Sequence, residues 1–164
     1  MSEITEQIWL GSYGDSANDT FLQERKITHI LCCAEELPLR VGFPYSQQYE
    51  GHKVPLVDDK ADEKTKAYFL EAATVLDGWV STGKKVFVHC FAGISRSASV
   101  IITYLMVYNG WSFDLAYQHL KLRRPRIHPH SDFIPILRSI ESKLPQQLAH
   151  FQKDSGVQSP QLDQ

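Results

Sequence analysis

One short segment of the chain carries a cysteine and an arginine six positions apart, with a glycine midway: Cys90, Gly93 and Arg96. Residues 86–88 before it are β-branched or aromatic, and the residues after it are apolar at most positions. This pattern predicts a buried strand, a tight loop and a long buried helix. In such a loop successive backbone N–H groups turn inward, and the helix dipole adds partial positive charge. The segment therefore predicts a binding site for a dianionic phosphate.

The side chains of Cys90 and Arg96 suit the same chemistry. A planar guanidinium can donate to two phosphate oxygens at once. A cysteine close to a helix N-terminus and a cation is stabilised as the thiolate, which is the nucleophilic form. The implied reaction is attack of the Cys90 sulfur on phosphorus. The alternative is an ordinary buried cysteine and a helix-start arginine, but these residue types at these offsets favour the catalytic interpretation.

The segment from His89 to Ser97 reads His-Cys-x-x-Gly-x-x-Arg-Ser, which resembles the phosphate-binding loop of cysteine-based protein tyrosine phosphatases. Residues 97–106 resemble the helix after that loop in the small atypical dual-specificity phosphatases of that superfamily. The resemblance implies an α/β fold, with a central, mostly parallel sheet flanked by helices. It also implies a catalytic domain over residues 1–144, and the polar composition of residues 145–164 predicts a flexible tail.

The same resemblance implies a role for each residue of the loop. Ser97 would hydrogen-bond the thiolate as it leaves in the second step, unless it is a plain helix-start serine. His89 would orient the loop and help to keep the thiolate ionised. The substrate phosphate would bind Arg96 and the backbone N–H groups of Phe91, Ala92, Gly93, Ile94 and Ser95.

A phosphate ester leaves more readily when an acid protonates the departing oxygen, and the resemblance places an aspartate on a loop after the preceding strand. Counting forward from Pro55 selects Asp58, whereas counting back from the aromatic pair at 68–69 selects Asp59. We favour Asp58, because an extra residue fits more easily in the loop than at the strand end. Asp62 is a weaker third candidate.

Two positions depart from the family pattern. Cys32 stands where the family commonly has an asparagine that supports the phosphate loop, and His130 follows Pro129 where the family has Asn. Cys32 or Cys33 could form a reversible disulfide with Cys90. Burial as ordinary strand residues is the favoured interpretation of both.

The loop also bears on the substrate. It has no lysine, and Arg96 is its one arginine, which favours a phosphoprotein over an inositol lipid or RNA 5′-phosphate. No long insertion builds a deep pocket, so we expect hydrolysis of both phosphotyrosine and phosphoserine or phosphothreonine.

The basic turn at residues 123–126 is either a solvated turn or a contact for an acidic or multiply phosphorylated partner. The main alternative is a module that binds phosphoproteins without turnover, and Cys90 argues against it.

Composition excludes several other classes. A net charge of −2 gives no overall attraction to nucleic acid or membranes. Three cysteines form no disulfide framework, so we expect a reducing cytoplasmic or nuclear setting. The chain has no apolar run of ~20 residues and no signal peptide pattern. The histidines show no ligand spacing, so neither a metal nor another cofactor is expected, and oligomeric state is not indicated.

Along the rest of the chain, expected strands alternate with expected helices. This alternation predicts a mostly parallel sheet with its ligand at the carboxyl ends of the strands. A surface loop near the site is expected over 37–49. Strands are expected over 4–10, 27–33, 54–57 and 86–88, and helices over 19–25, 63–80, 95–108, 112–121 and 131–144.

Overall fold

The computed structural model describes residues 1–42 and 44–145, so the predicted tail lies outside the described residues except for its first position. Five strands are present there: β1 (Ser2–Glu3), β2 (Ile8–Gly11), β3 (His29–Cys32), β4 (Glu50–Lys53) and β5 (Val86–His89). The α-helices are α1 (Asp19–Glu24), α2 (Thr65–Ser81), α3 (Arg96–Asn109), α4 (Phe113–Arg123) and α5 (Phe133–Ser142).

The five strands form one sheet in the order β1-β2-β5-β3-β4. The β2–β5, β5–β3 and β3–β4 pairs are parallel, and β1 pairs antiparallel with β2. The predicted α/β fold with a mostly parallel sheet is thereby confirmed. Because β5 lies at the centre, its carboxyl end sits between the carboxyl ends of β2 and β3, where sheets of this kind bind ligands.

Side chains alternate between the two faces of the sheet, and each face packs on helices. Val86 and Val88 join the larger core with α2 to α5, whereas Phe87 packs on the other face with Leu22 of α1. Helix α3 is buried at every residue from 96 to 106, as its almost uniformly apolar sequence predicts. Among the described residues, no helix is long and apolar enough to cross a membrane.

Two of the predicted strands are wrong in position. Residues 54–57 form no strand, and the strand lies four residues earlier, at β4. Pro55 has no N–H to donate to a ladder, and the last link to β3 is the Val54 N–H to the Cys32 carbonyl, at 2.9 Å. The strand expected over 4–10 is split, because the Thr5 hydroxyl accepts the N–H groups of Gln7 and Ile8 and forms a turn between β1 and β2.

Candidate active site

Residues 90–96, which are the connection from β5 and the first residue of α3, are called the phosphate loop below. Cys90 directly follows the last residue of β5 and is 3% exposed. The loop forms the floor of a cleft of about 450 Å³ at the carboxyl edge of the sheet. The cleft is lined by Asp58, Asp59, Cys90, Phe91, Ala92, Ile94, Ser95, Arg96, His128, His130 and Ser131.

The backbone carbonyls of the phosphate loop are bonded to the surrounding protein, whereas its N–H groups are not. Among the described residues, no N–H of residues 91–96 has a protein acceptor. A run of free N–H groups at a helix N-terminus is a binding site for an anion. The carbonyls of Phe91 and Ile94 accept the N–H groups of Tyr13 and His128, at 2.9 and 2.8 Å, and the Ser95 carbonyl accepts that of Ser99 at 2.9 Å.

Arg124 holds the loop from the side away from solvent. Its Nε donates to the carbonyl of Gly93 at 2.8 Å and its Nη2 to that of Ala92 at 3.2 Å. The side chain is 6% exposed, and burial lowers its pKa. The basic turn at 123–126 is therefore not uniformly solvated: Arg124 is turned inward, and Arg123 and Arg126 are exposed.

Gly93 packs closely against the end of β2. Its φ is +67°, which side-chain-bearing residues rarely adopt. A Cβ there would collide with the carbonyl of Gly11 and with Nη2 of Arg124. Glycine thus allows the loop to pack on the end of β2 and on its supporting arginine at once.

Arg96 is fixed by a carboxylate that the sequence did not single out. Its Nη1 and Nη2 donate to the two oxygens of Glu36 at 2.7 and 2.6 Å, and Nη1 also donates to the Leu56 carbonyl at 3.1 Å. These hydrogen bonds with Arg96 lower the pKa of Glu36. The only available signal was that Glu36 lies in an acidic pair just after β3, at the edge of the sheet where the site forms.

The third guanidinium nitrogen of Arg96 is left without a partner. Its Nε is buried and has no hydrogen-bond acceptor in the part of the chain that the structure describes. The nearest carboxylate is that of Asp58, whose Oδ1 lies 3.7 Å away. Leaving a buried N–H donor without an acceptor costs free energy, and a ligand that accepts a hydrogen bond from Nε would remove this cost. Together with the free N–H groups, it provides one more donor for an anion at the phosphate loop.

Ser97 and His89 both contact the cysteine. The hydroxyl of Ser97 lies 3.1 Å from Cys90 Sγ, and its side chain is fully buried. His89 is also fully buried, and its Nδ1 lies 3.0 Å from the Cys90 carbonyl, so Nδ1 carries the proton. Burial lowers the pKa of His89. A neutral histidine that donates to a carbonyl can orient the loop, but this nitrogen is not free to act as a base.

The three candidate acids have different environments. Asp58 and Asp59 both line the cleft, and Asp58 is the one that contacts Arg96. Asp59 adopts a left-handed backbone with φ of 59°, which aspartate tolerates better than most residues. The carboxylate of Asp62 instead accepts the N–H of Lys64 at 2.8 Å, just before α2, which explains Asp62 as a structural residue.

Cys32 and Cys33 are free thiols with no exposed surface, and burial raises the pKa of both. The Cys33 N–H donates to the carbonyl of His89 at 2.8 Å, in the pattern of the β3–β5 ladder. Cys32 Sγ lies 3.8 Å from the Ala34 carbonyl, so its contact is within its own segment. Both cysteines therefore have the environment of ordinary buried residues at the end of β3.

Two further histidines, His130 and His29, have structural contacts. The His130 N–H donates to the Ser95 hydroxyl at 2.8 Å, so the late turn packs on the phosphate loop despite its departure from the family pattern. His29 bonds Thr28 and Glu50 and packs on Trp79, outside the cleft. Within residues 1–42 and 44–145, no cluster of three or more histidine, cysteine or acidic side chains could hold a metal ion.

Comparison with known proteins identifies the family to which this fold and this phosphate loop belong. The model of the dual specificity phosphatase catalytic domain matches residues 8–143, and the chain belongs to this family. Dual specificity protein phosphatase 1B of Arabidopsis thaliana is 33% identical over 144 residues, which are 88% of this chain and 83% of that protein. The resemblance that the sequence motif predicted is therefore confirmed.

Solved structures agree with this assignment. The crystal structure of human DUSP28 matches with a TM-score of 0.80 at 25% identity, over 90% of this chain and 99% of that chain. The human tyrosine phosphatase-like serine/threonine/tyrosine-interacting protein matches with a TM-score of 0.76 at 30% identity, over 87% of this chain and 95% of that one.

Proposed function

We propose that this protein hydrolyses phosphotyrosine and phosphoserine or phosphothreonine in proteins through a cysteinyl-phosphate intermediate. The observation that carries the proposal is the set of donors around Cys90: the free N–H groups of residues 91–96 and the unpartnered Nε of Arg96. The region matched by the family model supports a catalytic domain over residues 1–144.

In the first step, the sulfur of Cys90 attacks the phosphorus atom and the bond to the ester oxygen breaks. Asp58 donates its proton to the departing oxygen, so that the serine, threonine or tyrosine leaves as a neutral hydroxyl. The free N–H groups and Arg96 Nε donate to the non-bridging oxygens as charge develops on them. The pair of hydrogen bonds to Glu36 fixes the guanidinium, so that little orientational freedom is lost on binding.

In the second step, water attacks the phosphorus atom of the cysteinyl phosphate and the sulfur–phosphorus bond breaks. The carboxylate of Asp58 takes a proton from this water, which reverses its role in the first step. The Ser97 hydroxyl lies 3.1 Å from the sulfur and donates to the thiolate as it leaves. Inorganic phosphate then departs and the thiolate is restored.

If Asp58 is the general acid, catalysis depends on the proton of its carboxyl group. Replacing Asp58 by asparagine keeps the shape but removes the proton, so kcat on phosphothreonine peptide should fall by about 10²–10³-fold. Asp59→Asn is the matched control, because Asp59 lines the same cleft but has no ion pair with Arg96. Steady-state phosphate release by the two variants measures the difference.

A kcat that falls in Asp59→Asn and not in Asp58→Asn would assign the acid to Asp59. If kcat falls only slightly, and equally, in the two variants, neither aspartate transfers the proton. Circular dichroism melts of the variants separate these outcomes from loss of folding.

The lining of the cleft supports a protein substrate. Arg96 is the one lysine or arginine among the lining residues, and Asp58 and Asp59 add negative charge at the rim. The additional phosphates of a substrate such as an inositol phosphate would be repelled by the carboxylates of Asp58 and Asp59. Phe91, at 62% exposure, instead offers an apolar surface to a side chain that bears a single phosphate.

A second candidate is a module that binds phosphoproteins without hydrolysing them. It is favoured by the likeness to the tyrosine phosphatase-like serine/threonine/tyrosine-interacting protein, whose name describes interaction. Phosphate release from matched phosphotyrosine, phosphothreonine and phosphoinositide substrates under reducing conditions distinguishes the candidates. If the protein binds phosphopeptide but releases phosphate from no substrate, it is a binding module. If it releases phosphate from the phosphoinositide alone, its substrate is a lipid and not a protein.

A further inference from the structure

Arg40 lies in the loop between β3 and β4 and has no counter-charge among the described residues. It is partly buried, no carboxylate of that part of the chain lies within 4 Å of it, and its Nε is buried without an acceptor. The other arginines with buried or partly buried side chains, Arg25, Arg96 and Arg124, all donate to oxygen. An unpaired guanidinium that is partly withdrawn from water attracts anions more strongly than a solvated one.

The charge of Arg40 is next to the phosphate loop. Its Cζ atom stands 4.5 Å from the centre of the Tyr13 ring. The N–H of Tyr13 donates to the carbonyl of Phe91 at 2.9 Å, and its ring stacks at 6.1 Å on that of His89. Arg40 therefore stands on the side of the cleft beyond Phe91. Arg40 is thus linked to the phosphate loop through one residue, Tyr13, so an anion bound by Arg40 would lie near in sequence to a phosphorylated residue bound at the loop.

The guanidinium is also held in place before any ligand binds. It lies between two aromatic rings, with Tyr45 at 5.4 Å from Cζ in addition to Tyr13. The turn that carries Tyr45 is closed by the Gly42 N–H to the Ser46 carbonyl at 2.7 Å. Stacking on aromatic faces is a typical use of arginine where an anion is to be recognised by the free edge of the guanidinium.

We propose that Arg40 forms a second anion site, which binds a carboxylate or a second phosphate close in sequence to the phosphorylated residue of the substrate. The inference rests on the proposed function, because it extends the substrate of the same cleft. The substrate class is then a phosphoprotein segment with an acidic or phosphorylated neighbour. The exposed arginines of the basic turn, Arg123 and Arg126, are the competing location for this contact.

The test measures affinities of three peptides for the Cys90→Ser variant, which should bind them without turnover. All carry a central phosphotyrosine: one has alanine flanks, one has glutamate flanks and one has a neighbouring phosphothreonine. Arg40→Gln is introduced in this background, and Arg126→Gln is the matched control with the same loss of charge. We expect Arg40→Gln to weaken the binding of an anionic peptide by about tenfold, with little effect on the alanine peptide. The glutamate and phosphothreonine peptides distinguish the two sources of the anion.

Turnover of p-nitrophenyl phosphate by proteins that retain Cys90 is measured in parallel, and Arg40→Gln should leave it unchanged. No preference for either anionic peptide, or a preference that survives in Arg40→Gln, would overturn the second site. If Arg126→Gln removes the preference for anionic peptides, the anion binds at the basic turn, and the proposed site at Arg40 is wrong. An equal loss of affinity for all three peptides would assign Arg40 a structural role instead. Absence of turnover in the unaltered protein would contradict the proposed function, while the affinities still decide the role of Arg40.

Discussion

Cys90→Ser should abolish hydrolysis, with kcat reduced by more than about 10⁴-fold, as expected when a covalent nucleophile is removed. A serine hydroxyl is a much weaker nucleophile toward phosphorus than a cysteine sulfur. The donors of the phosphate loop are unchanged by this substitution, because they are backbone N–H groups and Arg96. Affinity for a phosphopeptide should therefore stay within a few-fold of the unaltered protein.

Phosphate release and phosphopeptide binding by Cys90→Ser are measured side by side under reducing conditions. Cys33→Ala is the matched control, since it removes a thiol that has no exposed surface and lies directly after the neighbouring strand, β3. Its activity should remain once any loss of stability has been accounted for by a thermal melt. A Cys90→Ser protein with more than about one percent of the original kcat would contradict nucleophilic catalysis by this residue.

Arg96→Lys should lower kcat/KM by about 10³-fold, because the lost donors act on charge that develops in the transition state. Lysine keeps the positive charge, but it has one nitrogen in place of three. It cannot bond both oxygens of Glu36 and also present a donor at the position of Nε. The loss should therefore be large even though the charge is conserved.

The same substitution at Arg138 provides the control. Arg138 is an exposed arginine that pairs with Asp114 at 2.9 Å, away from the cleft. Arg138→Lys should leave kcat/KM nearly unchanged when both variants are assayed on one phosphopeptide. An Arg96→Lys protein that retains kcat/KM within tenfold would show that charge alone, and not the fork of donors, serves the reaction.

The centre of the fold could be predicted because its signals are contiguous in the chain. Strand β5, the phosphate loop and α3 follow one another without interruption, and the strand and the helix are both apolar at most positions. Strand β4 could not be found in the same way. It is a partly exposed strand of sequence Glu-Gly-His-Lys at the edge of the sheet, and its place is determined by pairing with β3.

The residues that support the site were missed for a related reason. Glu36 bonds Arg96 across 60 positions of sequence, and Arg124 bonds Gly93 across 31. The acidic pair that contains Glu36 and the basic turn that contains Arg124 are weak signals, because the role of each residue comes from contacts that exist only in the folded chain. Arg124 in particular stands beside two arginines that are exposed, and sequence alone does not tell them apart.

The proposed mechanism requires a phosphoryl group bound covalently to Cys90, and this intermediate can be trapped. Ser97→Ala removes the hydroxyl that lies 3.1 Å from Cys90 Sγ, so breakdown of the intermediate should slow more than its formation. The variant is mixed with phosphotyrosine peptide, quenched in acid within milliseconds to seconds and examined by intact-protein mass spectrometry and peptide mapping. We predict one phosphoryl group per protein, attached to Cys90 and absent when Cys90 is also replaced by serine. Continued release of phosphate with no phosphorylated protein at any time, or with the phosphoryl group on another residue, would contradict the proposed mechanism.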